Sequence, residues 1–246
     1  VADGLTPKLR WLVARVVASE PETDTAQTIA LEVPGWRGHA AGQHIDLKLT
    51  AEDGYTAQRS YSLSRPADGE RIELTVQRLP DGEVSPYLTG LQPGEEIELR
   101  GPIGGWFVWR PAQRGRILLV AGGSGIVPLM AMLRQRTADG DAEFRLVYSV
   151  RSPADVFYAQ ELAQLERDCD WLTTTVIYTR VATPQTARPP GRIGGSDLTV
   201  PGFSVGGDVH VYVCGPTGFV ESVTATLVGQ GYRPSAIRTE RFGPNG

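Results

Sequence analysis

Lysine is nearly missing from this chain of 246 residues: Lys8 and Lys48 are the only two, so the positive charge rests on arginine. Cysteine is as scarce. Cys169 and Cys214 cannot build a disulfide framework, a four-cysteine zinc site or an all-cysteine iron–sulfur cluster. The three histidines, His39, His44 and His210, stand in no metal-ligand spacing and in no triad with serine and aspartate. Each is read as a surface or satisfied histidine, and no metal site is expected. Long apolar runs are absent too. The longest uncharged stretch, 117–133, covers 17 residues and is broken by Gly122, Gly123, Ser124, Gly125 and Pro128, so it reads as strand, turn and helix, not as a membrane span. Val1-Ala2-Asp3-Gly4 offers no basic stretch followed by an apolar core, so no signal peptide is expected. With 41% hydrophobic residues, 21% charged residues and a net charge of -4, the expectation is a cytoplasmic globular protein without a nucleic-acid or membrane partner.

What is present divides the chain in two. Residues 11–17, 26–33, 44–49, 57–62, 71–76 and 96–99 alternate apolar with polar side chains, and Pro34-Gly35, Asp53-Gly54, Asp68-Gly69, Asp81-Gly82 and Pro93-Gly94 punctuate them. Six short strands at this spacing predict an antiparallel β-barrel, since closure removes the sheet edges. From residue 116 the pattern changes. Strands at 117–120, 144–150, 173–178, 209–213 and 236–242 alternate with helical stretches at 127–136, 158–167 and 217–228. That alternation predicts an α/β unit with a parallel sheet covered on both faces. The expected domains are 1–111 and 112–246.

Three stretches carry chemistry. In Arg59-Ser60-Tyr61-Ser62, at the end of a predicted strand, Arg59 and Tyr61 project to one face and Ser60 and Ser62 to the other. An arginine fork for phosphate, an aromatic face and a short hydroxyl suit a flat, phosphorylated ring system. Gly122-Gly123-Ser124-Gly125 follows a buried strand and precedes a helix, where close backbone approach and the helix N-terminus favour a diphosphate. Cys214-Gly215-Pro216-Thr217-Gly218 repeats that architecture, so both turns should open on one crevice at the carboxyl ends of the strands.

Taken in order, Arg59-Ser60-Tyr61-Ser62, Gly82-Glu83-Val84-Ser85, Gly101-Pro102-Ile103-Gly104, Gly122-Gly123-Ser124-Gly125, Cys214-Gly215-Pro216 and Glu240-Arg241-Phe242 closely resemble the motifs of the ferredoxin-NADP⁺ reductase family of flavoproteins. The resemblance spans nearly the whole chain. It implies a flavin-binding barrel followed by a nicotinamide-nucleotide domain, with FAD and NADPH as cofactors and NADH as the alternative to NADPH. It implies that Arg59 holds the FAD diphosphate with Val84 and Ser85, and that Ser60 and Tyr61 line the flavin, Tyr61 packing on the ring. Val76, Gln77 and Arg78 would line the ribityl and adenylate side. Gly123, Ser124, Gly125 and Ile126 would meet the nucleotide diphosphate, Cys214, Gly215 and Pro216 the nicotinamide, and Phe242 would cover the flavin. Ser62, Cys214 and Glu240 are the implied catalytic residues. Arg151, Arg180 and Arg192 resemble positions that take the 2′-phosphate of NADPH.

The activity so implied is passage of a hydride from NAD(P)H to flavin N5, then of single electrons to a separate acceptor protein of ferredoxin type or to a small oxidant. A fused iron–sulfur domain is not expected with two cysteines. The other reading is a non-catalytic flavin or nucleotide-binding subunit of a larger electron-transfer assembly. Both nucleotide turns and the Cys214 segment, which such a module could dispense with, favour the enzyme.

Overall fold

The computed structural model describes residues 9–51, 53–136, 140–184, 186, 188–203 and 208–243. The first half is built from β1 (Leu12–Thr23), β2 (Ala26–Glu32), β3 (His44–Thr50), β4 (Thr56–Ser62), β5 (Arg71–Gln77) and β6 (Glu96–Ile103), with a short helix α1 (Val84–Leu88). The six strands form one antiparallel sheet in the order β4-β3-β6-β1-β2-β5. Its two end strands meet where Leu63 bridges Leu74 and the Ser64 N–H donates to the Glu73 carbonyl at 2.9 Å. The sheet therefore closes immediately after Ser62. Alternate residues such as Val16, Leu31, Ile45, Leu47, Ile72 and Leu99 fill its interior, each buried apolar side chain contributing roughly 1.5–3 kcal/mol relative to exposure.

In the barrel, two strands run well past the expectation. β1 passes through Pro21 to Thr23, where the sequence pattern ends at Val17. Pro21 is tolerated because this end of β1 pairs with β2 alone, β6 having joined only at Leu12 to Arg15. β6 likewise continues through Gly101 and Pro102 to Ile103, which pairs with His44.

The second half holds β7 (Arg116–Gly122), β8 (Glu143–Val150), β9 (Leu172–Tyr178), β10 (Val209–Pro216) and β11 (Ile237–Phe242), together with helices α2 (Ile126–Gln135), α3 (Ala159–Asp168), α4 (Gly195–Leu198) and α5 (Thr217–Gly229). All neighbours pair parallel, in the order β11-β10-β7-β8-β9. One face of β7, through Ile117, Leu119 and Ala121, packs with α2; the other, through Leu118 and Val120, packs with residues of α4 and α5. That double cover is why β7 reads as a continuous apolar run.

α2 is buried on every side from Ile126 to Leu133, as a helix between two layers must be. Ala26, Ala41, Phe107 and Trp109 from the first half join its core, so the barrel wall, α2 and one sheet face share one apolar interior. Among the described residues no helix is long and apolar enough to cross a membrane.

Candidate functional site

β4 pairs with β3 so that Arg59 stands opposite Leu47 and Tyr61 opposite Ile45, while Ser60 faces Asp46 and Ser62 faces His44. Opposite residues share a face, which puts Arg59 with Tyr61 and separates them from the serines. Tyr61 leans on the barrel core, and burial pushes its phenol up to about 12 against the pull of Arg59. The Arg59 side chain is 48% exposed; its guanidinium donates to the Gln58 carbonyl at 2.7 Å and lies 3.6 Å from the Glu83 carboxylate. A half-buried aromatic ring beside an accessible arginine fits a flat ring carrying phosphate. Ser60 is turned elsewhere: its hydroxyl donates to Asp46 at 2.7 Å, and Arg100 holds the same carboxylate. Ser85 is buried and accepts the Leu79 N–H at 3.0 Å, closing its own loop. The side chains of Val76 and Val84 lie in the barrel core, Gln77 is half-buried and Arg78 is exposed.

In the second half the sheet order reverses at β7. From β7 the chain moves outward to β8 and β9 on one side and returns to β10 and β11 on the other, and ligands bind beyond the carboxyl ends at such a point. The turn Gly123–Gly125 lies there. A Cβ on Gly125 would come within 2.1 Å of the Cys214 carbonyl oxygen, so only glycine permits the two turns to touch. Gly123 adopts φ 54 with nothing within 4 Å of where a Cβ would stand, leaving the open cradle that a diphosphate requires. Ser124 is half-buried, Ile126 is fully buried, and Gly215 and Pro216 end β10. Arg151 and Arg180 follow β8 and β9; the Arg180 N–H donates to the Arg151 carbonyl at 2.9 Å, so the two stand side by side. Both are exposed, as is Arg192.

The two halves converge on Glu240. It lies opposite Cys214 in the β10–β11 register, and its Oε1 accepts the Ser62 hydroxyl at 3.4 Å across the domain boundary. Burial pushes its carboxyl up to about 7, with the Ser62 hydrogen bond pulling the other way. Cys214 is fully buried, and burial together with the Glu240 charge holds its thiol well above the ordinary range. It is a neutral thiol, not a nucleophile. Phe242, the last residue of β11, stands opposite Pro216 and packs against the core around α2.

His44 belongs to this cluster and the sequence did not show it. Its Nδ1 is 3.9 Å from Glu240 Oε1. Burial lowers its pKa, partly offset by Asp46, so the contact joins a neutral imidazole to a carboxyl poised near neutrality. Pairing β3 with β4 would have placed His44 opposite Ser62; nothing in the chain points to Glu240. His39 is satisfied in the expected way, accepting the Trp36 indole N–H at Nδ1 and meeting the Arg65 carbonyl at 2.7 Å through Nε2. No group of three potential metal ligands converges among the described residues.

Both halves of the chain resemble known proteins. Residues 22–108 match the family model for an oxidoreductase FAD-binding domain, and residues 119–225 match that for an oxidoreductase NAD-binding domain. The glycine betaine monooxygenase reductase subunit of Pseudomonas aeruginosa is 32% identical over 211 residues, covering 82% of this chain and 56% of the relative. The toluate 1,2-dioxygenase electron transfer component of Pseudomonas putida is 30% identical over 204 residues, with 82% and 58% covered. The chain thus spans little more than half the length of these relatives. Among solved structures, the flavohem-like FAD/NAD-binding domain of nitric oxide dioxygenase from Vibrio cholerae O1 biovar El Tor superposes with a TM-score of 0.82 at 26% identity, over 95% of this chain and 99% of that one. With an FAD-binding and an NAD-binding match in tandem over more than three quarters of its length, on a six-stranded antiparallel barrel followed by a five-stranded parallel sheet, the chain belongs to the ferredoxin-NADP⁺ reductase-like family of flavoproteins.

Proposed function

We propose that this chain is the NAD(P)H-oxidising flavoprotein part of an electron-transfer system, with residues 1–111 serving FAD and 112–246 serving the nicotinamide nucleotide. The observation that carries the reading is the meeting of Ser62 from the barrel with Glu240 and Cys214 from the parallel sheet. FAD, when bound, supplies a centre that accepts a hydride and releases electrons one at a time. Arg59 would hold its diphosphate through a charge-assisted fork, Tyr61 would pack on the ring, and Gln77 and Arg78 would flank the ribityl and adenylate side. For Val76, Val84 and Ser85, whose side chains are buried or engaged, the contribution is backbone.

The 123–126 turn would carry the nucleotide diphosphate, and Cys214, Gly215 and Pro216 would bound the nicotinamide. Ser62 donates its hydroxyl toward the boundary between the halves. Glu240, poised near neutrality, can hold or release a proton there without a large change in its own free energy. Cys214, fully buried, contributes apolar packing beneath that region, with its backbone at the turn. Phe242 stands at the end of β11 opposite Pro216, placed to shield the same region. Because the curated relatives serve a monooxygenase and a dioxygenase, the acceptor we propose is a separate oxygenase component or a small iron–sulfur protein. Arg151 and Arg180, exposed just past β8 and β9, and Arg192, exposed ahead of α4, are the cations we assign to a 2′-phosphate, which favours NADPH over NADH.

Anaerobic mixing of the FAD-loaded protein with NADPH or NADH tests the activity. Bleaching of the visible flavin band within seconds is expected; colour that persists would instead mark a non-catalytic flavin module.

A further inference from the structure

A largely buried arginine plays no part in the site above. Arg134, in the last turn of α2, has only 10% of its side chain exposed. One terminal nitrogen donates to the Ser64 carbonyl at 2.8 Å and to Glu73 Oε1 at 2.7 Å. Nε and the other terminal nitrogen grip both oxygens of Glu161 on α3 at 2.8 and 2.6 Å. The guanidinium also lies 4.9 Å from the centroid of the Tyr158 ring. Glu73 collects two more donors, the Ser64 hydroxyl at 2.9 Å and Arg65 Nε at 3.0 Å. Burial would raise the Glu73 carboxyl, yet Arg134, Arg65 and Ser64 outweigh it and hold the group below its ordinary range. Tyr158 is pinned beside them. It keeps a left-handed backbone at φ 57 while its N–H donates to Glu22 and its hydroxyl to Thr75, both in the barrel.

We propose that Arg134 is a positioning residue for hydride passage: it clamps the end of the strand carrying Tyr61 and Ser62 to the helix that starts at the nucleotide turn. The proposal rests on the FAD and nucleotide assignments above. Ser64 follows Ser62 by two residues, and Glu73 lies on the strand that leads into Gln77 and Arg78. At the opposite end of α2, Ile126 follows directly on the turn Gly123–Gly125. A helix of this length is a rigid rod of about 15 Å, so its two ends share one orientation. Adhesion between the halves does not need this network, because Phe107, Trp109 and Ala41 already pack on the α2 core. A buried ionic cluster contributes less net stability than apolar packing of the same volume, but it is directional. Direction is what alignment needs, since a displacement of about 1 Å between reacting groups can cost about 100-fold in rate.

Two variants test this. Arg134→Lys keeps the charge and loses the fork; Glu161→Gln weakens the α3 side while Arg134 retains Glu73. In stopped-flow reduction of the FAD-loaded protein, the limiting rate should fall at least tenfold in Arg134→Lys and about threefold in Glu161→Gln. The nucleotide Kd from the same titration, and the FAD Kd from fluorescence quenching, should each stay within about twofold. In the flavin-free protein, amide exchange at Ser64 should quicken at least tenfold in Arg134→Lys. A limiting rate within twofold of the parent in both variants overturns the proposal, and so does unchanged exchange at Ser64. If the parent itself is not reduced by NADPH or NADH, the functional reading fails, and exchange at Ser64 alone then decides whether the clamp exists.

Discussion

Where Ser62 of β4 meets Glu240 of β11, the contact is 3.4 Å, and His44 stands 3.9 Å from the same oxygen. At the other seam between the same two halves, Arg134 reaches Glu73, Ser64 and Glu161 at 2.6 to 2.8 Å. The first seam is loosely bonded, and its carboxyl sits near neutrality. The second is saturated, and its charges are fixed. A site that must admit a ring and pass protons needs groups with unspent hydrogen-bonding capacity, whereas the joint that holds the site in register does not. On the function proposed, the Arg134 seam sets the register of the two halves while the Ser62–Glu240 seam keeps hydrogen-bonding capacity free.

Breaking the closed seam should give the largest effect. Arg134→Met leaves Glu73 buried without its main partner, and the cost should be about 3–5 kcal/mol. Urea unfolding measures it; a loss no greater than that of Ser62→Ala would erase the distinction between the seams. Arg59→Ala comes next: in the role proposed for Arg59 it removes a charge-assisted fork from the FAD diphosphate, at a cost of about 2–4 kcal/mol. The variant should purify with much less flavin, and undiminished flavin content would remove Arg59 from that role.

The open seam sets a pH dependence. Glu240 ionises with a pKa near that of a free carboxylate in the unfolded chain and about 7 in the folded one. Between those values the unfolded chain releases the proton and the fold retains it, so this group's contribution is complete at acid pH and fades as pH rises through 7. Between pH 5 and 8 the parent should lose about 2 kcal/mol more than Glu240→Gln. Parallel stability curves for the two proteins would contradict the assignment. The smallest expected effect is nucleotide choice. Arg151→Ala with Arg180→Ala should narrow the NADPH preference mainly through KM, because the 2′-phosphate is remote from the reacting atoms and binds ground and transition states alike. Equal kcat/KM for NADPH and NADH in the parent would discard the preference.

The two seams were unequally legible in the sequence. Alternation and turn pairs locate the barrel strands, and the two-residue period assigns the faces of Arg59, Tyr61 and Ser62 from within one strand. The glycine turn announces itself by lying between a buried strand and a helix. Strand ends were less visible: Pro21 and Gly101-Pro102 look like stops, yet β1 and β6 run through them because pairing on one side suffices there. Ser60 reads as part of a ligand motif, but its hydroxyl belongs to Asp46. The closed seam was not legible at all. Glu73, Arg134 and Glu161 look like ordinary solvated charges, since such residues are rarely buried unless paired, and their partners are 61 and 27 positions apart.

The claim that the halves act together at the open seam is tested most directly by a double-mutant cycle of Ser62→Ala and Glu240→Gln on the rate constant for flavin reduction by NAD(P)H. If the two groups serve one step across the domain boundary, each single variant should slow reduction at least tenfold, and the double variant should be about as slow as the worse single, an interaction of about 1.4 kcal/mol or more. Losses that simply multiply would show that Ser62 and Glu240 act independently, and would contradict the account.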